Sequence, residues 1–184
     1  MWPPLLILSV LPIAAGLALR WWFGVRVVAE HGGRDCRCDA ARWEMALGSP
    51  LAPETTASEF GRQLRLAALA RWKQRDPKLA AARESSRRFG LAVPPLSIMI
   101  AVFAVLVTKL PVQGAIAIVF LATALAVVFG LLSLGSELRA ISAAAKALRD
   151  SRAFPRESDE DAAIECAIAH AWLETLPPIL RALQ

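Results

Sequence analysis

The segment LAVPPLSIMIAVFAVLVTKLPVQGAIAIVFLATALAVVFGLLSL, residues 91–134, decides the fold of this 184-residue chain. Its 44 residues carry one charge, Lys109, which lies with Leu110 and Pro111 between two apolar runs. A helix needs about 20 apolar residues, at about 1.5 Å each, to cross a hydrocarbon core of about 30 Å. Residues 91–108 and 112–134 therefore predict a transmembrane hairpin in an integral membrane protein. Pro94 and Pro95 lie at the entry of the first run, where we expect a first helical turn that tolerates proline.

A third apolar run, residues 2–19, carries no charge before Arg20. A secretory signal peptide has a basic segment ahead of its apolar stretch, and residues 1–4 have none. We therefore predict an uncleaved N-terminal anchor. The predicted fold is an all-α membrane protein with three transmembrane helices, the anchor plus the hairpin, and amphipathic cytoplasmic helices.

The positions of lysine and arginine predict the orientation. Residues 20–90 contain 14 Lys and Arg against 8 Asp and Glu, and the tail from residue 135 contains 6 against 8. Basic residues collect in short cytoplasmic loops beside membrane spans. We expect the N-terminus outside, with residues 20–90 and the C-terminal tail in the cytoplasm. The predicted location is the plasma membrane, here a bacterial inner membrane.

The chain divides into four predicted parts. They are a transmembrane anchor (1–20), a basic cytoplasmic helical region (21–90), the transmembrane hairpin (91–134) and C-terminal cytoplasmic helices (135–184). Tryptophan and basic side chains concentrate at membrane–water boundaries. The predicted interface residues are Arg20, Trp21, Trp22, Arg83, Arg87 and Arg88.

One longer cytoplasmic helix is predicted to begin within Thr56-Ala57-Ser58-Glu59, with the threonine or the serine as its N-cap ahead of Glu59. Phe60, Leu64 and Trp72 recur at roughly helical spacing, with arginine and lysine between them. This pattern predicts an amphipathic helix with a basic face. The helix could lie on the inner leaflet or against partner helices.

The net charge of +5 does not indicate nucleic-acid binding. The basic excess lies where the membrane orientation places it, and the sequence has no helix-turn-helix, zinc-finger or RNA-binding pattern. The three cysteines do not form a disulfide framework, because the predicted cytoplasmic side is reducing. The expected partners are the lipid bilayer and a protein partner or second copy, and not a nucleic acid.

Four residues are candidate metal ligands. His31 lies close in sequence to Cys36 and Cys38, and His170 precedes Glu174 by four residues. Structural zinc sites use four ligands in paired motifs, from which this spacing departs. We therefore expect exposed loop residues for the first three, and surface electrostatics on a helix for His170.

Other catalytic signatures are missing from the sequence. It has no HExxH motif, no G-x-S-x-G setting for a serine and no glycine-rich phosphate loop after a strand. No acidic residue lies inside a predicted span, so there is no signature of a proton relay. Glu137 follows the third span, where its carboxylate could emerge into water and pair with Arg139 or another cation.

Three short segments occur in a suggestive order. Leu66-Ala67-Ala68 and Pro77-Lys78-Leu79 precede the hairpin, and Glu137-Leu138-Arg139-Ala140-Ile141-Ser142 follows it. This order resembles the integral-membrane neutral zinc metallopeptidases. Those proteins have an anchor, an Ala-Ala-His-Glu-x-x-His helix, a Pro-Leu-Lys-Leu-Arg segment, a membrane hairpin and a Glu-Phe-x-Ala-Ser segment. The resemblance implies a zinc-peptidase architecture over most of the chain.

The residues needed for that chemistry are replaced. Leu69-Ala70-Arg71-Trp72-Lys73 occupies the place of the His-Glu-x-x-His motif, so both imidazole ligands and the general base are lost. Glu137 alone matches a possible third ligand. One carboxylate cannot hold and activate a zinc-bound water, which needs about three protein ligands. The resemblance therefore implies a degenerate site at Leu69, Ala70, Lys73 and Glu137, with no catalytic residues and no cofactor.

Three functions remain open on this sequence. The first is a non-catalytic scaffold or partner subunit, a pseudoenzyme derived from a zinc metallopeptidase. The second is an active membrane zinc metallopeptidase with atypical ligands, which alone would require zinc. The third is a small accessory subunit of a membrane transport or energy complex.

Overall fold

The computed structural model describes residues 2–53, 55–107 and 110–181. Thr108 and Lys109, at the predicted hairpin turn, lie outside the described residues. The helices are α1 (Trp2–Arg20), a π-helical turn (Trp21–Val25), α2 (Arg26–His31), α3 (Ala40–Leu47), α4 (Ala57–Arg75), α5 (Pro77–Leu106), α6 (Val112–Ser151), α7 (Glu157–Leu173) and α8 (Pro178–Arg181). Among the described residues, extended pairing is limited to one bridge, between Asp35 and Thr56.

Three of these helical stretches are long and apolar enough to cross a membrane. They cover Leu6–His31, Pro77–Leu106 and Val112–Ser151, as the hydropathy pattern predicts. The all-α membrane fold is therefore confirmed. α5 and α6 both continue beyond the apolar residues, through positions 90 and 134, and so connect the membrane part to the extramembrane part.

The expectation that Pro94 and Pro95 lie in a first helical turn is wrong. α5 begins at Pro77, and Pro94 and Pro95 lie inside it. Residues 77–93 are already helical, so the two prolines interrupt hydrogen bonds of an existing helix rather than starting one. The Ser97 hydroxyl donates a hydrogen bond of 2.6 Å to the Pro94 carbonyl.

The three long helices pack with α6 at the centre, between α1 and α5. α1 runs in the same direction as α6, because Gly16 lies against Val127 while the Asp39 amide, beyond α2, donates to the Ala153 carbonyl, beyond α6. Ile13 and Leu17 pack against the buried cluster that contains Val127. The residues that follow α7 lie beside the same part of α6, where Leu176 packs against Val127. Since Val127 precedes Leu134 by seven residues, this contact lies about 10 Å into the apolar part of α6.

The extramembrane part has its own apolar core, built around α4 and α7. Trp43, Phe60 and Phe154 form a buried cluster with ring centroids 5.6–6.4 Å apart. The apolar side of α4 is buried in this core and against α6 and α7. It is therefore used within the chain and does not lie on the lipid surface.

Local capping explains where α4 begins. The Thr56 hydroxyl accepts a hydrogen bond from the Glu59 amide, and the Glu59 carboxylate accepts one from the Thr56 amide. This reciprocal capping box satisfies two amides that the first helical turn leaves without partners. The predicted cap ahead of Glu59 is confirmed, and of the two candidates the structure uses Thr56.

Candidate functional site

Glu137 is buried at the point where α6 leaves its apolar segment, and it is 2 % exposed. Its Oε1 accepts a hydrogen bond of 2.6 Å from Arg65 Nε on α4. Its Oε2 accepts a hydrogen bond of 2.8 Å from Arg83 Nε on α5 and lies 2.7 Å from Arg83 Nη2. The carboxylate does not emerge into water, and its partners are neither Arg139 nor a metal-binding group.

A second carboxylate extends these contacts into a cluster. Glu174, which follows α7, lies 2.8 Å from Arg65 Nη1 and 3.2 Å from Arg87 Nη2. We call Arg65, Arg83, Arg87, Glu137 and Glu174 the arginine–glutamate cluster. It joins α4, α5, α6 and the end of α7, and its three cations against two anions leave one positive charge.

Contacts hold the two buried arginines of the cluster in place. Burial lowers the pKa of Arg65, but hydrogen bonds and charge interactions with Glu174 and Glu137 outweigh burial and raise it, so that this guanidinium stays protonated. Arg83 Nη1 also donates to the Gly130 carbonyl at 3.1 Å and to Ser133 Oγ at 2.6 Å. These hydrogen bonds hold the Arg83 side chain in a fixed position.

The cluster lies at the boundary of the apolar segment. Glu137 is three residues beyond Leu134, about 4.5 Å along the helix axis. Gly130, bound by Arg83, lies four residues on the other side, about 6 Å into the apolar segment. The cluster therefore lies where the apolar segment of α6 ends.

Two clefts open beside the cluster. The first, the cluster cleft, has a volume of about 540 Å³ and is lined by Leu69, Lys73 and Glu137, together with the cluster arginines. The second, the boundary cleft, has a volume of about 430 Å³. It lies between α5, α6 and residues 174–178.

The positions assigned to the degenerate site are only partly brought together. Leu69, Lys73 and Glu137 share the cluster cleft. Ala70 instead lines a separate cleft with Met45 and Gly48. One residue rotates a helix position by about 100°, so neighbours such as Leu69 and Ala70 face different surroundings.

The candidate metal ligands do not form one site. His31 Nε2 lies 3.4 Å from Glu165, while Cys36 Sγ contacts the Asp159 carbonyl at 3.7 Å. Cys38 Sγ lies 3.8 Å from the carbonyl oxygen of the neighbouring residue, Asp39. Within the described ranges, no group of three or more His, Cys, Asp and Glu could hold a metal ion.

The cysteines are free thiols with suppressed acidity. Burial, followed by nearby carboxylates, raises the pKa of Cys36, and burial raises the pKa of Cys38 to about 12 and that of Cys166 to about 11. A thiol with a raised pKa is a poor nucleophile at neutral pH. Burial of Cys36 contradicts the expectation of an exposed loop residue.

His170 contacts α4 through Ser58. Its Nε2 lies 3.0 Å from Ser58 Oγ and 3.1 Å from the Ser58 carbonyl oxygen. Burial lowers the pKa of His170, and the charges of Arg65 and Arg62 lower it further. The imidazole therefore acts as a neutral link between α7 and the first turn of α4.

This link predicts a pH effect on stability. A histidine whose pKa is lowered by folding stabilises the fold fully above its ordinary value of 6.5 and loses that contribution as the pH falls through the lowered pKa. We expect the free energy of unfolding to decrease below pH 6.5, and His170→Gln to flatten this decrease. Denaturant titrations in detergent above and below pH 6.5 measure it, with His31→Gln as the control. An unchanged pH slope in His170→Gln would contradict the assignment.

The predicted interface residues differ in how far they are exposed. Trp21 and Trp22 are about half exposed, and Trp22 also stacks under Arg26 at 4.8 Å. Arg83 is buried in the cluster, whereas Arg87 and Arg88 have side chains that are 55 % and 78 % exposed. Arg20 ends α1, directly before the π-helical turn.

Sequence reasoning missed the cluster roles of Arg65 and Glu174. A signal for Arg65 existed, because it shares the helical stripe of Leu64, Ala68 and Trp72, all of which are buried. An arginine on a buried stripe indicates a buried carboxylate partner. Glu174 carried no comparable signal, because it lies beyond the end of α7.

Comparisons of the chain with protein-family models, with curated proteins and with solved structures gave no match.

Proposed function

We propose that this chain is a non-catalytic integral membrane protein that acts as a scaffold or partner subunit. The observation that carries the proposal is the pairing of both Glu137 carboxylate oxygens with arginine. A carboxylate that ligates zinc needs a free oxygen and neighbouring imidazole or thiolate ligands. Here the place of the metal is taken by two guanidinium groups.

The zinc-metallopeptidase ancestry is part of this proposal. Leu69 and Lys73, four residues apart, stand where the resemblance places the two histidines, and they share a cleft with Glu137. This is the juxtaposition expected of a zinc site. Leu69 and Lys73 are not metal ligands, and Glu137 pairs with two arginines, which supports a pseudoenzyme rather than an atypical peptidase.

The orientation belongs to the same proposal. α1 and α6 run in one direction, so the chain that follows α1 and the chain that follows α6 lie at one end of the membrane helices. Residues 20–90 and 135–176, towards that end, hold 19 of the 21 arginine and lysine residues, which favours the cytoplasmic side of a plasma membrane. The N-terminus and the hairpin turn would then lie outside.

The exposed corner between α4 and α5 supports a docking role. Arg71, Lys73, Arg75 and Lys78 are exposed there, and Asp76 is the acidic residue among them. The excess of three positive charges fits a protein partner with an acidic surface. We propose this corner as the docking surface of the scaffold.

Zinc analysis tests the non-catalytic part of the proposal. We expect protein purified in detergent to contain less than about one tenth of an equivalent of zinc. A closed zinc site of normal affinity would instead be filled after purification. Glu137→Gln serves as the matched variant. Stoichiometric zinc that is lost in Glu137→Gln would contradict the proposal and favour the peptidase alternative.

Copurification tests the scaffold part. The tagged protein, extracted from native membranes, is expected to retain one acidic partner at a constant ratio, as measured by mass spectrometry. A triple variant should lose this partner, because it reverses the charge complementarity. Its substitutions are Lys73→Glu, Arg75→Glu and Lys78→Glu. Reversal of Arg139, Lys146 and Arg152 to glutamate is the control. A protein that runs alone in every detergent would contradict the scaffold role.

A further inference from the structure

The boundary cleft combines positive charge with direct access to the apolar face of α5. Its charged lining consists of Arg83, Arg87 and Arg88, with the carboxylates Glu84 and Glu174 among them. Its lower wall consists of Gly90, Leu91 and Ala126, which belong to the membrane segments. The polar and apolar halves therefore meet at the depth of the lipid headgroups.

The arginines of this cleft can reach an additional anion. The Arg87 side chain is 55 % exposed, and its Nη2 lies at 3.2 Å from Glu174. Arg88 is 78 % exposed and donates from Nε to Glu84 at 3.1 Å. A guanidinium carries five N–H donors in a planar fork, which suits the oxygens of a phosphate group.

The space beside Gly90 gives the cleft room for a ligand. Gly90 is buried, yet a Cβ built there would meet no atom within 4 Å. Below this point the α5 surface is apolar and exposed, with Leu91 at 59 %, Leu96 at 53 % and Met99 at 69 %. An acyl chain could follow this surface while its headgroup stays at the arginines.

We propose that the boundary cleft binds the phosphate headgroup of an anionic phospholipid, with the acyl chains along α5. Arg87 and Arg88 bind the phosphate, and Gly90 leaves space for the glycerol group. The positive charge of the cleft selects anionic lipids over choline lipids, whose cationic end the arginines repel. Basic pockets between membrane helices on the cytoplasmic side recognise anionic headgroups in this way. The site is independent of the scaffold role, which uses the α4–α5 corner.

Lipid binding to the full chain tests the proposal. Titration of the detergent-solubilised protein with phosphatidylglycerol and with phosphatidylcholine, followed by native mass spectrometry, gives the two affinities. We expect phosphatidylglycerol to bind more tightly, and Arg87→Gln with Arg88→Gln to weaken it by about 25-fold, or about fivefold per arginine. Phosphatidylcholine binding should change little.

Two matched variants separate a site from general electrostatics. Arg139→Gln removes an exposed arginine on α6 that does not line the cleft, and it should leave phosphatidylglycerol affinity unchanged. Gly90→Leu fills the space without changing charge, and it should weaken binding. Arg88→Gln alone, at a highly exposed position, shows the effect without risk to the fold.

Three results would overturn the proposal. They are equal affinity for the two lipids in the unmodified protein, an equal loss in Arg139→Gln, and unchanged binding in the Arg87 and Arg88 variant. Displacement of the lipid by excess glycerol phosphate would show a site for soluble phosphate instead. Retention of the lipid under that competition supports the role of the acyl chains.

Discussion

Glu137→Gln is expected to lower the free energy of unfolding by about 3–5 kcal/mol, because it removes the anion that Arg65 and Arg83 share in a buried site. Both guanidinium groups would remain charged, since arginine keeps its proton. Water cannot solvate them fully, because the Arg65 and Arg83 side chains are only 6 % and 10 % exposed. Thermal unfolding in detergent should show a fall of roughly 10 °C for a chain of this size.

Glu84→Gln is the matched control for this prediction. Glu84 lies on α5 near the same cluster, but its side chain is 52 % exposed and pairs with Arg88 at the surface. Surface pairs contribute about 0–1 kcal/mol, so this variant should unfold almost as the unmodified protein does. Equal effects of Glu137→Gln and Glu84→Gln would show that the buried cluster does not stabilise the fold.

A double variant checks the reason given for the effect. If the loss comes from uncompensated buried cations, then Arg83→Gln in the Glu137→Gln background should restore part of the stability. The coupling between the two positions is expected at about 0.5–3 kcal/mol, because the residues are in direct contact. Additive losses would indicate that Glu137 acts by packing alone.

The membrane helices could be predicted because hydropathy is a local property. Residues 91–107 and 112–134 carry their own signal, as does the capping box at Thr56, which needs only residues three apart. The start of α5 was harder to predict. Pro94 and Pro95 normally indicate a boundary, and only the helical residues upstream override that preference.

The cluster could not be predicted because its members are distant in sequence. Arg65 and Glu137 are 72 residues apart, and Arg83 and Glu137 are 54 apart. Each of these charged residues had a simpler interpretation from its neighbours in sequence, as part of a basic helix face or of the chain beside a membrane span. Only the packing of four helix segments brings them together, and that packing depends on shape as well as on charge.

The shape requirement is clearest at the glycines that face other helices. Gly61 on α4 lies against Cys166 on α7, and Gly24 lies against Leu173. Gly130 on α6 lies against the Thr175 carbonyl. These approaches bring α7 close to α4, to the π-helical turn and to α6, and they therefore place Glu174 within reach of Arg65 and Arg87.

Gly61→Ala is accordingly expected to destabilise the fold by about 1–3 kcal/mol. The added Cβ would lie 2.6 Å from the Cys166 Cβ and 2.7 Å from the Ala167 backbone nitrogen, so α4 and α7 must move apart. The stability lost through this close contact should exceed the stability of about 0.5–1 kcal/mol that alanine adds to a helix relative to glycine. Thermal unfolding followed by circular dichroism measures the net effect.

Gly135→Ala is the same substitution at an exposed position of α6, where a Cβ would meet no atom within 4 Å. It should stabilise the protein by about 0.5–1 kcal/mol, so the two variants are expected to differ in sign. Gly61 also lies one helical turn before Arg65, and its contact with α7 sets the distance across which Arg65 reaches Glu174. Gly61→Ala and Glu174→Gln should therefore be less than additive, because the first already weakens the ion pair that the second removes. Stabilisation by Gly61→Ala equal to that of Gly135→Ala would show that the close contact between α4 and α7 does not hold the cluster.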